Sequence, residues 1–367
     1  MYHNSLGLNS TKKEYTMTQT SRPARLAFIG CGGHATANLY PSIPLLEGKA
    51  DLVAACDIDS KRLERAAHLF AIPRTYTDMD AMLDQEELDG VLVIGPPQVH
   101  SEIGSRVLAR GIPIFVEKPS AIDLATALEL ARTAERHGTF GMIAFMKRFS
   151  VGYRMAKHLA GEPGFGGVQM IDAKFAQGAY PQIWGLSSPE LSFLTGQVIH
   201  IFDLVRFFGG DVAEVRASYR SVAPERFGFF VQLRFKGGAI GIMNLNTLDA
   251  RDPWRDFEEH LVVTGVDNAV RVEDMLYLTS RSAQDWIEVP DLSIGRLEKT
   301  WRPTGPATRK NEELIGYAGE IAHFAQCVIS KTIPVPDLWD AAAAQQLAEA
   351  TWQCARSSAP VAIEPLR

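Results

Sequence analysis

From Ala24 onward the chain alternates short, almost uninterrupted apolar runs with longer amphipathic stretches, and few folds accept that order. The runs are Arg25 to Ile29, Leu52 to Cys56, Gly90 to Ile94, Ile112 to Val116 and Thr139 to Phe145. Helical patterns lie between them, among them Ser60 to Phe70, Val99 to Arg110 and Leu124 to His137. A strand buried on both faces shows no polar side, and the helices that carry the chain to the next parallel strand are what cover it. The expectation is therefore an α/β fold whose N-terminal domain, residues 21–146, is a doubly wound parallel sheet.

After Met146 the pattern changes. One helix near Tyr153 precedes the candidate strands Val168 to Gln177, Val212 to Ser221, Gly228 to Phe235, Ala239 to Asn246, His260 to Thr264 and Ala269 to Val272. Lys236-Gly237-Gly238 reads as a hairpin turn, so this part is expected to be an α+β domain with a large, mostly antiparallel open sheet, residues 147–367. A single helix, Leu194 to Phe208, interrupts the strands. Pro290 to Arg309, rich in Pro, Gly and charge, reads as an excursion or linker. Two helical patterns, Leu314 to Ser330 and Leu338 to Ala355, end the chain, and the last is expected to pack back on the first domain.

A length of 367 residues suits two domains. The formal net charge of -6, with no long run of one sign, gives no electrostatic reason to expect nucleic acid or an anionic membrane as a partner. Cys31, Cys56, Cys327 and Cys354 form no CxxC pair and no metal-ligand spacing, and Asp and Glu are scattered, so no metal is expected. Reduced, buried thiols fit a cytoplasmic protein. Residues 1–20 are polar, lack the apolar centre of a secretory signal, and read as a disordered tail in which Met17 is an alternative start.

Directly after the first apolar run stands Gly30-Cys31-Gly32-Gly33-His34-Ala35, a GxGxxA turn expected to lead into a helix. The first glycine permits the tight turn, the second lets backbone approach a pyrophosphate, and Ala35 allows close packing of helix on strand. The phosphates would rest on the helix N-terminus. Asp57 closes the next strand, where a carboxylate can accept from the adenosine ribose hydroxyl and repel a 2'-phosphate. NAD is thus favoured over NADP, although Lys61 and Arg62 nearby soften the preference. Asp57 as a helix cap is the competing reading, for which Asp59 and Ser60 are better placed.

Gly95-Pro96-Pro97-Gln98-Val99-His100 follows the third clear run and Glu117-Lys118-Pro119 the fourth. With the glycine turn and Asp57, these motifs resemble the glucose-fructose oxidoreductase and inositol dehydrogenase family (Gfo/Idh/MocA). Lys147-Arg148-Phe149 and the stretch from Gly316-Tyr317 to Phe324 extend the resemblance toward the C-terminus. It implies a Rossmann domain joined to an open-sheet domain used for a homodimer or homotetramer. It also implies hydride exchange between nicotinamide and a sugar, cyclitol or related polyol. Gly95, Pro96, Pro97, His100, Glu117 and Arg148 are then expected at the cofactor, beside Arg62 and the glycine turn.

Lys118 is the candidate for taking the hydroxyl proton, since a lysine in a partly desolvated cleft deprotonates more easily; pairing only with Glu117 or the cofactor is the alternative. His200 matches the family's catalytic histidine and could relay that proton, unless it faces the core. Tyr180, Trp184 and Gln197 are candidates for contacting substrate, with a buried aromatic cluster as the other use of the first two. His34 fits either a cofactor contact or an exposed capping role, and Asp203 reads as structural. One departure stands out: many sugar-oxidising members carry an aspartate four residues before this histidine, where this chain has Gly196. Either Lys118 and His200 suffice, or another side chain substitutes, or the chemistry differs. Two other readings follow from the resemblance, an NAD-dependent redox-neutral cleavage of glycosides and a non-enzymatic NAD-binding sensor.

Overall fold

The computed structural model describes residues 22–252, 256–286, 296–303 and 311–367. The N-terminal tail and most of the Pro290 to Arg309 segment lie outside the described residues.

Six strands, β1 (Ala24–Ile29), β2 (Ala50–Cys56), β3 (Arg74–Tyr76), β4 (Gly90–Val93), β5 (Ile114–Val116) and β6 (Gly141–Ile143), form an all-parallel sheet in the order 3-2-1-4-5-6. The order reverses between β1 and β4, which opens a crevice beyond their carboxyl ends. β5 and β6 are shorter than their apolar runs. β3 was not legible, because it is three residues long and two of them are exposed. The first crossover is not an α-helix either: a π-helical turn, Ala35–Leu39, passes into a 3-10 helix, Tyr40–Leu46. Pro41 and Pro44 have no N–H to give to an α-helical ladder, which explains the departure. The face this short crossover leaves open is completed from far along the chain. Ala318, Ile321, Phe324, Ala325 and Val328 of the helix Tyr317–Ser330 share a core with Leu26, Phe28, Leu92 and Phe115.

The second sheet runs β14 (Arg296–Trp301), β13 (Tyr277–Trp286), β12 (Asn268–Glu273), β11 (Glu258–Thr264), β7 (Met170–Ala176), β10 (Ile240–Asn246), β9 (Arg226–Phe235), β8 (Val212–Ala223) and β15 (Val361–Ala362). Within this sheet only the pair β7 and β10 is parallel among the described residues. β14 falls within the segment read as a linker, whose composition hid it. Strand alternation sends Phe227, Phe229, Val231, Leu233 and Phe235 of β9 inward. On the opposite face Met170, Phe230, Ile240 and Ile242 are exposed.

The expected single helix Leu194 to Phe208 is two helices, Pro189–Gly196 and Ile199–Gly209, bent by 47°. The last helix, Leu338–Ser357, bridges the two halves. Its Glu349 accepts from the backbone of Leu124 at 2.7 Å, Trp339 donates to Glu135 at 2.9 Å, and its Cys354 thiol lies 3.0 Å from the Ala217 amide in β8. No single helix among the described residues is long and apolar enough to cross a membrane.

Candidate active site

A cleft of about 880 Å3 opens at the crevice between β1 and β4 and extends to the second half of the chain. Gly30, Gly32, Gly33, His34, Ala35, Asp57, Arg62, Gly95, Pro96, Glu117, Lys118, Tyr180, Trp184 and Gln197 line it, so most of the residues singled out in the sequence meet there.

One end is made of backbone. Gly30 has φ +111°, and a Cβ on it would stand 1.9 Å from the Ile94 carbonyl oxygen, so only glycine lets β1 turn away beside β4. Cβ atoms on Gly32 and Gly33 would meet nothing within 4 Å, which leaves bare backbone facing the cleft. Asp57 is held with one carboxylate oxygen on the Cys31 amide (2.7 Å) and the other on the Asp59 amide (2.9 Å). A glycine cradle with an anchored carboxylate at the end of the adjoining strand fits a dinucleotide: the cradle would take the pyrophosphate and Asp57 the ribose. Cys31 contributes that amide only, since its thiol is buried against the Tyr40 hydroxyl at 3.3 Å and burial pushes it up to about 11. The Arg62 guanidinium lies 3.2 Å from Asp59.

The middle of the cleft is braced by buried polar groups. His100 Nε2 accepts from the Gly95 amide (2.9 Å) and Nδ1 faces the Pro119 carbonyl (2.7 Å), which sets the proton on Nδ1. Burial pulls its pKa down to about 4, so it is a neutral tie between two cleft loops rather than a lining residue. Pro97 begins the helix Pro97–Ala109 and is likewise buried behind the lining. Glu117 is paired at 2.9 Å with His34 Nε2 and at 2.9 Å with the Lys118 amide. Burial works against its charge, but His34 and Lys118 outweigh it and hold the carboxyl below its ordinary value.

At the other end Lys118, half-buried, donates from Nζ to the Gly196 carbonyl at 2.9 Å. The bend explains this bond: the helix Pro189–Gly196 ends there, its last carbonyls lose their helical partners, and the negative end of the helix attracts a cation. Burial lowers the Lys118 pKa, and the charge of Glu117 opposes that only in part. Trp184 is fastened across the cleft by Gln98, whose Nε2 donates to its carbonyl at 2.7 Å.

Besides His100 and Pro97, two more of the expected site residues lie outside the lining. Arg148 is not among the lining residues. Its guanidinium is buried and bonds Asp203 through Nε (2.8 Å) and Nη2 (2.5 Å), with Asp340 at 3.3 Å. Adjacency to Phe149 in sequence did not reveal that the 3-10 turn Met146–Phe149 points it inward. His200 is not among the lining residues; it packs edge-on against Phe145 with a buried Nδ1 that has no hydrogen-bond partner. Burial, then Lys118 and Lys147, drive its pKa well down, so it is a neutral imidazole close behind Lys118. Residues the sequence did not single out include Ile58, Thr77, Asp78, Met79, Ile103 and Arg106 in the lining. Ile58, 94% exposed, carried the one signal available in the sequence: an apolar residue set between Asp57 and Asp59 just past a strand.

Comparisons with known proteins bear on the fold that carries this cleft. A family model described as an oxidoreductase family with an NAD-binding Rossmann fold matches residues 24–145, and one described as a GFO/IDH/MocA C-terminal domain matches residues 153–270. A D-apiose dehydrogenase of Paraburkholderia graminis is 31% identical over 206 residues, which are 55% of this chain and 54% of that protein. An inositol 2-dehydrogenase of an Arthrobacter species is 28% identical over 196 residues, 53% of this chain and 56% of that one. The chain thus spans about half the length of the curated relatives it matches. A dehydrogenase from Chromobacterium violaceum superposes with a TM-score of 0.84 at 23% identity, over 92% of this chain and 97% of that one. An oxidoreductase from Agrobacterium radiobacter, solved in complex with NAD+, L-tartaric acid and magnesium, gives 0.76 at 20% identity over 92% and 98%. Those two likenesses show the fold.

Proposed function

Because the chain belongs to the Gfo/Idh/MocA family of NAD-binding oxidoreductases, we propose that it is an NAD(H)-dependent dehydrogenase or reductase acting on a hydroxyl or keto carbon of a sugar, cyclitol or glycoside. The observation that carries the reading is Lys118: a half-buried amine with a lowered pKa, set where the glycine cradle meets Tyr180, Trp184 and Gln197. Bound nicotinamide supplies the hydride exchange. Lys118 takes the proton from the substrate hydroxyl in oxidation, or returns it in reduction, within reach of a carbinol oxygen held between it and the Tyr180–Gln197 wall. Trp184 offers an apolar plate for the sugar ring, and the carbonyl of Gly196 keeps the amine aimed. Asp57 favours NAD, because its anchored carboxylate repels a 2'-phosphate.

The test is absorbance at 340 nm with NAD or NADP and a panel of sugars, cyclitols, sugar acids and glycosides, with products followed by chromatography. Formation of NADH with one class supports the reading and names the substrate. Release of free sugar without NADH would turn it to redox-neutral cleavage. Lys118→Ala is expected to lose roughly a hundredfold or more in turnover while still binding NADH; undiminished turnover would remove Lys118 from the chemistry. The same reading places a second copy against the exposed Met170, Phe230, Ile240 and Ile242, and a monomer by light scattering would refute that part.

A further inference from the structure

Gly196 is buried at the end of its helix, and its emptiness is only apparent. A Cβ built on it would stand 2.6 Å from the Tyr180 hydroxyl, with the Trp184 ring next at 3.3 and 3.4 Å. The hydroxyl therefore occupies the space through which a side chain on residue 196 would enter the cleft. Its position is not incidental. The Tyr180 ring is 1% exposed, packs edge-on against Phe193 at 5.7 Å, and its backbone amide is tied to the Glu225 carbonyl at 3.1 Å. The Gly196 carbonyl, on the same residue, receives Lys118 Nζ. One glycine thus brings a phenol and an amine to the same stretch of cleft wall, and Gln197 stands beside them.

We propose that Tyr180 fills the space a side chain on residue 196 would take, presenting its hydroxyl beside Lys118 as a hydrogen-bond donor to the reacting oxygen of the substrate. This rests on the reading of the cleft as a dehydrogenase site. In oxidation the substrate's hydroxyl proton passes to the Lys118 amine and the C–H electron pair leaves with its hydrogen to the nicotinamide, so the oxygen ends as a carbonyl. Tyr180 keeps its proton throughout and donates to that oxygen as negative charge develops on it. Burial raises its pKa, and the bond with Gln197 lowers it by less, so the phenol stays protonated and able to donate. A carboxylate at position 196 would do the opposite, accepting from the substrate and holding charge beside the lysine. The exchange of glycine and tyrosine for an acid makes the substrate end a lysine with a neutral donor.

Two measurements test this, one of them independent of turnover. Tyr180→Phe removes only the hydroxyl; kcat should fall roughly a hundredfold to a thousandfold, as for loss of one preorganised donor, while NADH binding by fluorescence stays as in the parent. Thermal melts read the packing: Gly196→Ala should lower Tm by several degrees in the parent and by clearly less in the Tyr180→Phe background, where the 2.6 Å contact is gone. Turnover of Tyr180→Phe within twofold of the parent, or an equal Tm penalty for Gly196→Ala in both backgrounds, would overturn the proposal. If the parent turns over nothing on the panel, the functional reading falls and the hydroxyl's catalytic role falls with it; a working parent with an equally active Tyr180→Phe removes Tyr180 alone.

Discussion

The two ends of the cleft are built by different means. At the cofactor end the working groups are backbone amides and one carboxylate, and Cys31 and Asp57, which bond each other, lie 26 residues apart. At the end proposed for substrate, side chains converge from distant parts of the chain: Lys118 reaches Gly196 across 78 residues, and Gln98 reaches Trp184 across 86. A site made of backbone tolerates little change, because its shape is the path of the chain. A site made of converging side chains can be re-aimed by exchanging them, as the pair Gly196 and Tyr180 illustrates, without disturbing the sheet beneath. Such a division would let one framework keep its cofactor and vary its substrate.

If that division holds, damage at the supports of the substrate end should cost stability and leave the cofactor site alone. Asp203→Ala strips Arg148 of its two bonds and leaves a buried guanidinium with Asp340 alone, at an expected cost of about 3–5 kcal/mol. Urea melts give the loss. NADH affinity of the protein that remains folded should be unchanged, and a weakened affinity with an unchanged midpoint would return Arg148 to the cofactor. At the cofactor end Gly30→Ala sets a Cβ against the Ile94 carbonyl in a left-handed backbone, for about 3 kcal/mol. Gly33→Ala, whose Cβ meets nothing, should change stability by less than about 0.5 kcal/mol yet weaken NADH binding. Equal melting of the two alanine variants would break the claim that backbone path makes this end.

The same division governs what could be read from the sequence. β1, β2 and β4, the GxGxxA turn and Asp57 were legible because local pattern determines them: continuous apolar runs, glycine at the turn, an acid at the strand end. Lys118 was legible because the Glu117-Lys118-Pro119 motif follows β5. The failures share a cause in long-range structure or in local chemistry that cancels a pattern. Pro41 and Pro44 removed the expected first α-helix. The apolar stretch around Val198 gave no sign of the bend that frees the Gly196 carbonyl. Arg148 was assigned by its neighbours in sequence, whereas its partners Asp203 and Asp340 come from two other helices. The meeting of Tyr180 with Gly196 exists only once the loop before Pro189 is folded over the helix.

Glu320 tests the division from the other side, because it is a side chain of the helix Tyr317–Ser330 that feels the charge of Glu117 at the cofactor end. It is fully buried, neither carboxyl oxygen has a hydrogen-bond partner, and it senses the charge of Glu117, which is itself held ionised by His34 and Lys118. Burial first, and Glu117 second, push its pKa well above the ordinary 4.5, so the folded protein keeps a proton there that the unfolded chain loses. The sign follows from linkage. The contribution of Glu320 to stability is complete below about pH 4.5 and is lost as pH rises toward the raised folded pKa, at about 1.4 kcal/mol per pH unit. Glu320→Gln, which has no proton to lose, should match the parent near pH 5 and gain on it steadily by pH 8 in urea midpoints. Parallel profiles would mean that Glu320 ionises in the fold as it does in the unfolded chain, and that the cofactor end owes nothing to this distant carboxyl.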